Sequence, residues 1–223
     1  MSKQLMIKVC GMRDAENIRE VEQLSLELAE NGSEPPIAMM GFIFWPHSSR
    51  YVFHRPDYLP TKMRRVGVFV DEDAHEVARK VEEYRLDMVQ LHGKESPEYI
   101  RELGTLWSGD TASPRLIKAF NIATAKDFGQ TAAYEGLMDY FLFDAKGKLV
   151  GGNGEKFEWS VLTDYQGKTP FLLSGGIGPG DVDSLRTIRH PLWTGIDLNS
   201  RFEVAPGLKD VERLREFVRN VIQ

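Results

Sequence analysis

Eight short apolar runs, separated by polar segments with helical patterning, constrain this fold more than any other feature of the chain. They are Leu5 to Cys10, Ile37 to Phe44, Val66 to Val70, Asp87 to Leu91, Arg115 to Phe120, Asp139 to Asp144, Pro170 to Ser174 and Trp193 to Leu198. The runs are mostly continuous rather than alternating, as strands covered on both faces should be. Between the first two, Ile18, Val21, Leu24 and Leu28 recur at helical spacing within Ala15 to Ala29. Ala74 to Tyr84, Pro97 to Leu106, Asp181 to Ile188 and Leu208 to Ile222 carry the same signature. Only His54 to Met63 is poorly marked, because it holds Pro56 and Pro60 and few apolar repeats. An eightfold strand-then-helix alternation predicts an α/β fold, a closed parallel (β/α)8 barrel with right-handed crossovers. The 223 residues suit one such barrel, and no linker or composition break divides residues 1–223 into more than one domain.

Composition narrows the partners. The formal charge is −5 and no block of Lys and Arg stands out, which argues against nucleic acid. Lys62, Arg64 and Arg65 are the densest basic spot and read as a solvated loop edge. Cys10 is the only cysteine, so an intrachain disulfide is excluded and zinc-ligand spacing is missing. The first residues lack a signal-peptide core, and no stretch of about eighteen apolar residues could span a membrane. A soluble, cytoplasmic protein with no membrane partner is expected.

In barrels of this kind, chemistry sits where strands end on the C-terminal face. Two such ends carry glycine or small polar residues, Ser174-Gly175-Gly176-Ile177-Gly178 and Gly195-Ile196-Asp197-Leu198-Asn199-Ser200. Bare backbone N–H groups at a strand end that opens a helix make an anion seat, which predicts a small phosphorylated substrate. Lys8 and Cys10 share one face of their strand. A nearby cation favours a thiolate, so Cys10 is a candidate base or nucleophile; the alternative is a small buried apolar side chain. Asp144 closes the run Phe141-Leu142-Phe143, where it either caps a loop or serves the site. A carboxyl shielded from water keeps its proton more readily, the state a general acid needs.

Arg50 follows strand two in Trp45-Pro46-His47-Ser48-Ser49-Arg50-Tyr51. It reads either as a two-bond clamp for a carboxylate or as a surface arginine. His92 has no evident companion for a metal and reads as a hydrogen-bonded structural residue. Asp197 is expected to orient the phosphate loop or a sugar hydroxyl. Gly147 to Gly154 reads as a glycine-hinged lid. It is neither a Walker loop nor a dinucleotide fingerprint, so no nucleotide cofactor is indicated.

Together these segments resemble the phosphoribosylanthranilate isomerase family, which acts in tryptophan biosynthesis. The resemblance covers the whole length and rests on Lys8-Val9-Cys10-Gly11, Pro46-His47-Ser48-Ser49-Arg50-Tyr51, Val89-Gln90-Leu91-His92-Gly93, Phe143-Asp144, Gly151-Gly152-Asn153-Gly154, Ser174-Gly175-Gly176-Ile177 and Gly195-Ile196-Asp197. It implies an aldose–ketose isomerase that runs an Amadori rearrangement without metal or cofactor. It further implies Cys10 as general base, Asp144 as general acid and Arg50 as receiver of the anthranilate carboxylate. Gly175 and Gly176 would form the first half of the phosphate cradle, with Asn199 and Ser200 in the second half. The chain departs from the family pattern at Arg201, which stands where a glycine is usual.

Three other readings are open. A pentose-phosphate epimerase would need metal-binding histidines and carboxylates at several strand ends, and an indole-forming synthase would need catalytic lysines and glutamates. A non-catalytic phosphosugar-binding barrel would have little use for both Cys10 and Asp144. A monomer and a homodimer are both compatible with the sequence.

Overall fold

The computed structural model describes residues 5–29, 34–107, 113–144 and 159–222. Eight parallel strands close on one another in sequence order: β1 (Met6–Cys10), β2 (Ile37–Ile43), β3 (Arg64–Phe69), β4 (Met88–Leu91), β5 (Arg115–Asn121), β6 (Tyr140–Asp144), β7 (Phe171–Ser174) and β8 (Trp193–Leu198). The last seam pairs β8 with β1, placing Asp197 opposite Lys8 and Leu198 opposite Val9. Alternate residues of each strand serve two different cores. Ile7, Val9, Phe141, Phe143, Phe171 and Leu173 join the large core under the helices. Val66, Met88, Ile117, Leu142 and Leu172 fill the barrel interior. This parity turns Lys8 and Cys10 inward on β1, and Asp144, in step with Leu142, inward on β6.

Among the described residues five α-helices dress the barrel: α1 (Ala15–Leu28), α2 (Ala74–Tyr84), α3 (Pro97–Thr105), α4 (Val182–Thr187) and α5 (Val211–Ile222). Their starts are written locally. Asp14 accepts from the Asn17 amide at 2.9 Å, Asp73 from those of His75 and Glu76, and Ser96 precedes Pro97 at the head of α3.

Among the described residues, the structure departs from the expected pattern at four connections. No helix joins β2 to β3. Instead the proline-bearing segment is tied to α1 through the buried Glu22, which accepts from the Thr61 and Lys62 amides at 2.6 Å each. The connections after β5 and β6 contain 3₁₀ turns, at Ala125–Tyr134 and Trp159–Asp164. The last departure follows β8. Leu208, expected to open the last helix, lies in a short hairpin of β9 (Glu203–Ala205) and β10 (Leu208–Lys209). Asn17 of α1 holds that hairpin, accepting from the Lys209 amide at 2.7 Å and donating to its carbonyl at 3.0 Å.

Candidate active site

The inward residues at the strand ends make a polar mouth above an apolar barrel floor. Lys8 is fully buried, and its Nζ lies 3.0 Å from Asp197 Oδ1, an ion pair that the β1–β8 register dictates. Burial works against the Lys8 ammonium, but Asp197 and Cys10 outweigh it and hold the group above the ordinary lysine range. Cys10 lies one pleat nearer the mouth and is 4 % exposed. Gly41, its register partner on β2, leaves room for the thiol: a Cβ there would sit 2.8 Å from Sγ.

Burial pushes the Cys10 thiol above its usual range; Lys8 and Lys209 oppose this, while Asp197 reinforces it. Lys8 does favour the thiolate, as expected from its place on the same strand face, but the net direction is set by burial. The ammonium is close, but Asp197 engages it and removal from water outweighs it.

Asp144 ends β6 and is 7 % exposed. It borders a cavity of about 310 Å³ whose wall includes His92, Lys118, Asn121, Gln130 and Tyr134. His92 Nε2 lies 4.0 Å from Asp144 Oδ2, and the Gln90 amide nitrogen is 2.8 Å from Nδ1. With that amide donating to Nδ1, the ring proton belongs on Nε2, facing Asp144. Burial lowers the His92 pKa, with Asp144 opposing, which favours the neutral ring. Beside it Lys118, 3 % exposed, pairs with Glu95 at 3.2 Å and donates to the Gly93 carbonyl at 2.9 Å.

Arg50 reaches the mouth over Gly11, where a Cβ would lie 2.7 Å from Arg50 Cδ and 2.9 Å from Asn199 Oδ1. Gly11 has φ +80°, a backbone that glycine adopts freely. Sequence reading did not anticipate the partner of Arg50. Glu203 accepts from Nε at 2.8 and 3.0 Å and from Nη2 at 2.6 Å. Lys209 Nζ then donates to Glu203 at 2.6 Å and to Asn199 Oδ1 at 2.9 Å. The only sequence signal for this pair is two opposite charges flanking the Ala205-Pro206-Gly207 turn.

Gly175 and Gly176 follow β7 with φ of +106° and +70°, which bend the backbone into a concave turn. Their neighbour Gly178 donates to Asp181 at 2.8 Å. The turn after β8 meets this loop: Arg201 Cβ would be 3.4 Å from a Cβ at Gly178. Arg201 lies in a 3₁₀ turn, Ser200–Phe202, and keeps negative φ, so this chain does not need the usual glycine there. The side chains of Arg201 and Ser200 are exposed and that of Asn199 is half-buried. Asp197 Oδ1 is held by Lys8 beneath this loop. Gly147 to Gly154, expected as a lid, lie outside the described residues. Among the described residues, no cluster of three or more His, Cys, Asp or Glu is arranged to hold a metal ion. No helix there is long and apolar enough to cross a membrane.

A closed parallel barrel whose mouth gathers a buried thiol, a carboxyl and an arginine has the parts of a proton-transfer enzyme for small anionic substrates. A sequence model described as N-(5'-phosphoribosyl)anthranilate (PRA) isomerase matches residues 8–220. The chain belongs to that family. It is 46% identical over 219 residues to the N-(5'-phosphoribosyl)anthranilate isomerase of Phocaeicola vulgatus, covering 98% of both chains. The enzyme of the same name from Parabacteroides distasonis is 44% identical over 224 residues, with 98% of this chain and 94% of that one covered. Among solved structures, phosphoribosyl anthranilate isomerase from Thermotoga maritima superposes with a TM-score of 0.74 at 28% identity, over 97% of this chain and 98% of that one. A phosphoribosyl anthranilate isomerase complexed with reduced 1-(o-carboxyphenylamino)-1-deoxyribulose 5-phosphate gives 0.72 at 26% identity, again over 97% and 98%.

Proposed function

We propose that this chain isomerises N-(5'-phosphoribosyl)anthranilate to 1-(2-carboxyphenylamino)-1-deoxyribulose 5-phosphate, with residues 1–223 acting as one domain in the cytoplasm. The single observation that carries the reading is the inward placement of Cys10 and Asp144 at the ends of β1 and β6, two strands that are not neighbours in the barrel. An acid and a base acting on different atoms of one sugar need such separation.

In this reading Asp144 gives its proton to the furanose ring oxygen, and the C1–O bond breaks to leave a protonated imine. Cys10, as thiolate, takes the proton from C2, and the electron pair moves to the C1–C2 bond to give an enolamine. Ketonisation follows: C1 gains a proton, the C2 hydroxyl loses one, and the aminoketose is formed. Arg50 receives the anthranilate carboxylate. The turn at Gly175 and Gly176 and the backbone at Asn199 and Ser200 receive the phosphate, while Asp197 steadies the second loop from below through Lys8. The neutral His92 keeps a hydrogen-bond donor near Asp144 without adding a full charge.

Fluorescence of the anthranilate group tests the activity directly. Adding enzyme to N-(5'-phosphoribosyl)anthranilate should quench it with multiple turnovers, and an unchanged signal at micromolar enzyme would overturn the reading. Binding of the ligand without turnover would instead favour a phosphosugar-binding barrel. The working form, monomer or homodimer, can be read from sedimentation at assay concentration.

A further inference from the structure

Arginine offers two different forked edges, one through Nε and Nη2 and one through Nη1 and Nη2. Glu203 occupies the first edge of Arg50 with contacts of 2.6 to 3.0 Å. On the second edge, Nη1 has, among the described residues, only a 3.5 Å contact to Ser49 Oγ. Glu203 is fixed in turn, its side chain 5 % exposed, by the Gly207 amide at 3.1 Å and by the fully buried Lys209 at 2.6 Å. The two cations and one carboxylate leave a net positive charge, so the guanidinium can attract a second carboxylate even while paired.

We propose that Glu203 and Lys209 are positioning residues for the substrate carboxylate: Glu203 holds Arg50 by its Nε edge so that the Nη1–Nη2 edge faces the ligand, and Lys209 neutralises Glu203. This rests on the assignment of Arg50 to the anthranilate carboxylate. The hairpin that follows β8 is thus part of the recognition machinery. Arg13 couples the two loops further, donating to the Ser49 carbonyl at 3.0 Å and the Pro206 carbonyl at 2.9 Å.

The experiment compares two ligands by calorimetry: reduced 1-(o-carboxyphenylamino)-1-deoxyribulose 5-phosphate and the same molecule lacking the carboxyl group. Glu203→Gln should weaken the carboxylated ligand about tenfold or more and leave the other within threefold. Glu203→Asp, which keeps the charge but shortens the reach, should give the same selective loss and serves where the amide variant folds poorly. Equal weakening of both ligands, or weakening of neither, would overturn the positioning role. Arg50→Ala separates the underlying reading. If it fails to discriminate between the ligands, the carboxylate assignment falls. If it discriminates and the Glu203 variants do not, only the role of Glu203 falls.

Discussion

Lys8 and Asp197 are register partners on β1 and β8, and their side chains meet at 3.0 Å inside the barrel, one pleat below Cys10. The pair closes the seam between the first and last strands and lies beneath both the thiol and the turn that follows β8. Its members are 0 % and 7 % exposed. Removing one partner from a buried pair strands a charge and costs about 3–5 kcal/mol, whereas replacing both with apolar groups costs far less. Urea unfolding of Lys8→Met should therefore show a loss of that order, with much of it recovered in Lys8→Met/Asp197→Leu. A loss below about 1 kcal/mol in the single variant would mean that the pair does not hold the seam.

The thiol can be titrated without interference, because Cys10 is the only cysteine in the chain. Burial raises its pKa, so the reactive thiolate is scarce at neutral pH and grows as pH rises. The rate of alkylation by iodoacetamide should climb through pH 7 and beyond the midpoint of an ordinary thiol, about 8.5. A midpoint below about 7 would show that Lys8 and Lys209 prevail over burial after all.

Gly41 supplies the space for that sulfur. A methyl group at Gly41 would approach Sγ to 2.8 Å, so Gly41→Ala must turn or displace the thiol. If Cys10 is the base proposed above, the expected result is a fall in kcat of about tenfold or more with the barrel's circular dichroism unchanged, since a misplaced base loses proton-transfer efficiency. Undiminished turnover would show that Cys10 need not sit where it does.

The turns after β7 and β8, proposed to receive the phosphate, make opposite predictions for Gly176 and Arg201. Gly176 has φ +70°, which costs an L-residue about 1–2 kcal/mol, so Gly176→Ala should deform the turn and raise KM. Arg201 has negative φ and an exposed side chain, so Arg201→Ala should change KM less than about fivefold, roughly 1 kcal/mol. A large rise in KM on losing Arg201 would make its guanidinium a phosphate ligand.

The eight strands were legible because each is buried on both faces and written as a short apolar run. Only their ends move by a residue or two, as at Val66, where β3 begins earlier at Arg64. The helices α2 and α3 were legible because their apolar residues recur at helical spacing within Ala74 to Tyr84 and Pro97 to Leu106. The segment from His54 to Met63 was not, since what fixes it is Glu22 on a different element. Cys10 and Asp144 could be read from the chain as polar residues closing apolar strands. Glu203 could not: it meets Arg50 across 153 positions of sequence, and its own neighbourhood looks like a solvated hairpin. Its burial exists only once β8 closes against β1 and Asn17 pins Lys209.

The central claim is that one sulfur and one carboxyl divide the proton transfers between them. Steady-state kinetics of Cys10→Ser and Asp144→Asn with N-(5'-phosphoribosyl)anthranilate tests it most directly. Each variant should lose about 100-fold or more in kcat, the usual contribution of a positioned acid or base, with KM within a few-fold of the parent. Full turnover by either variant would contradict the account.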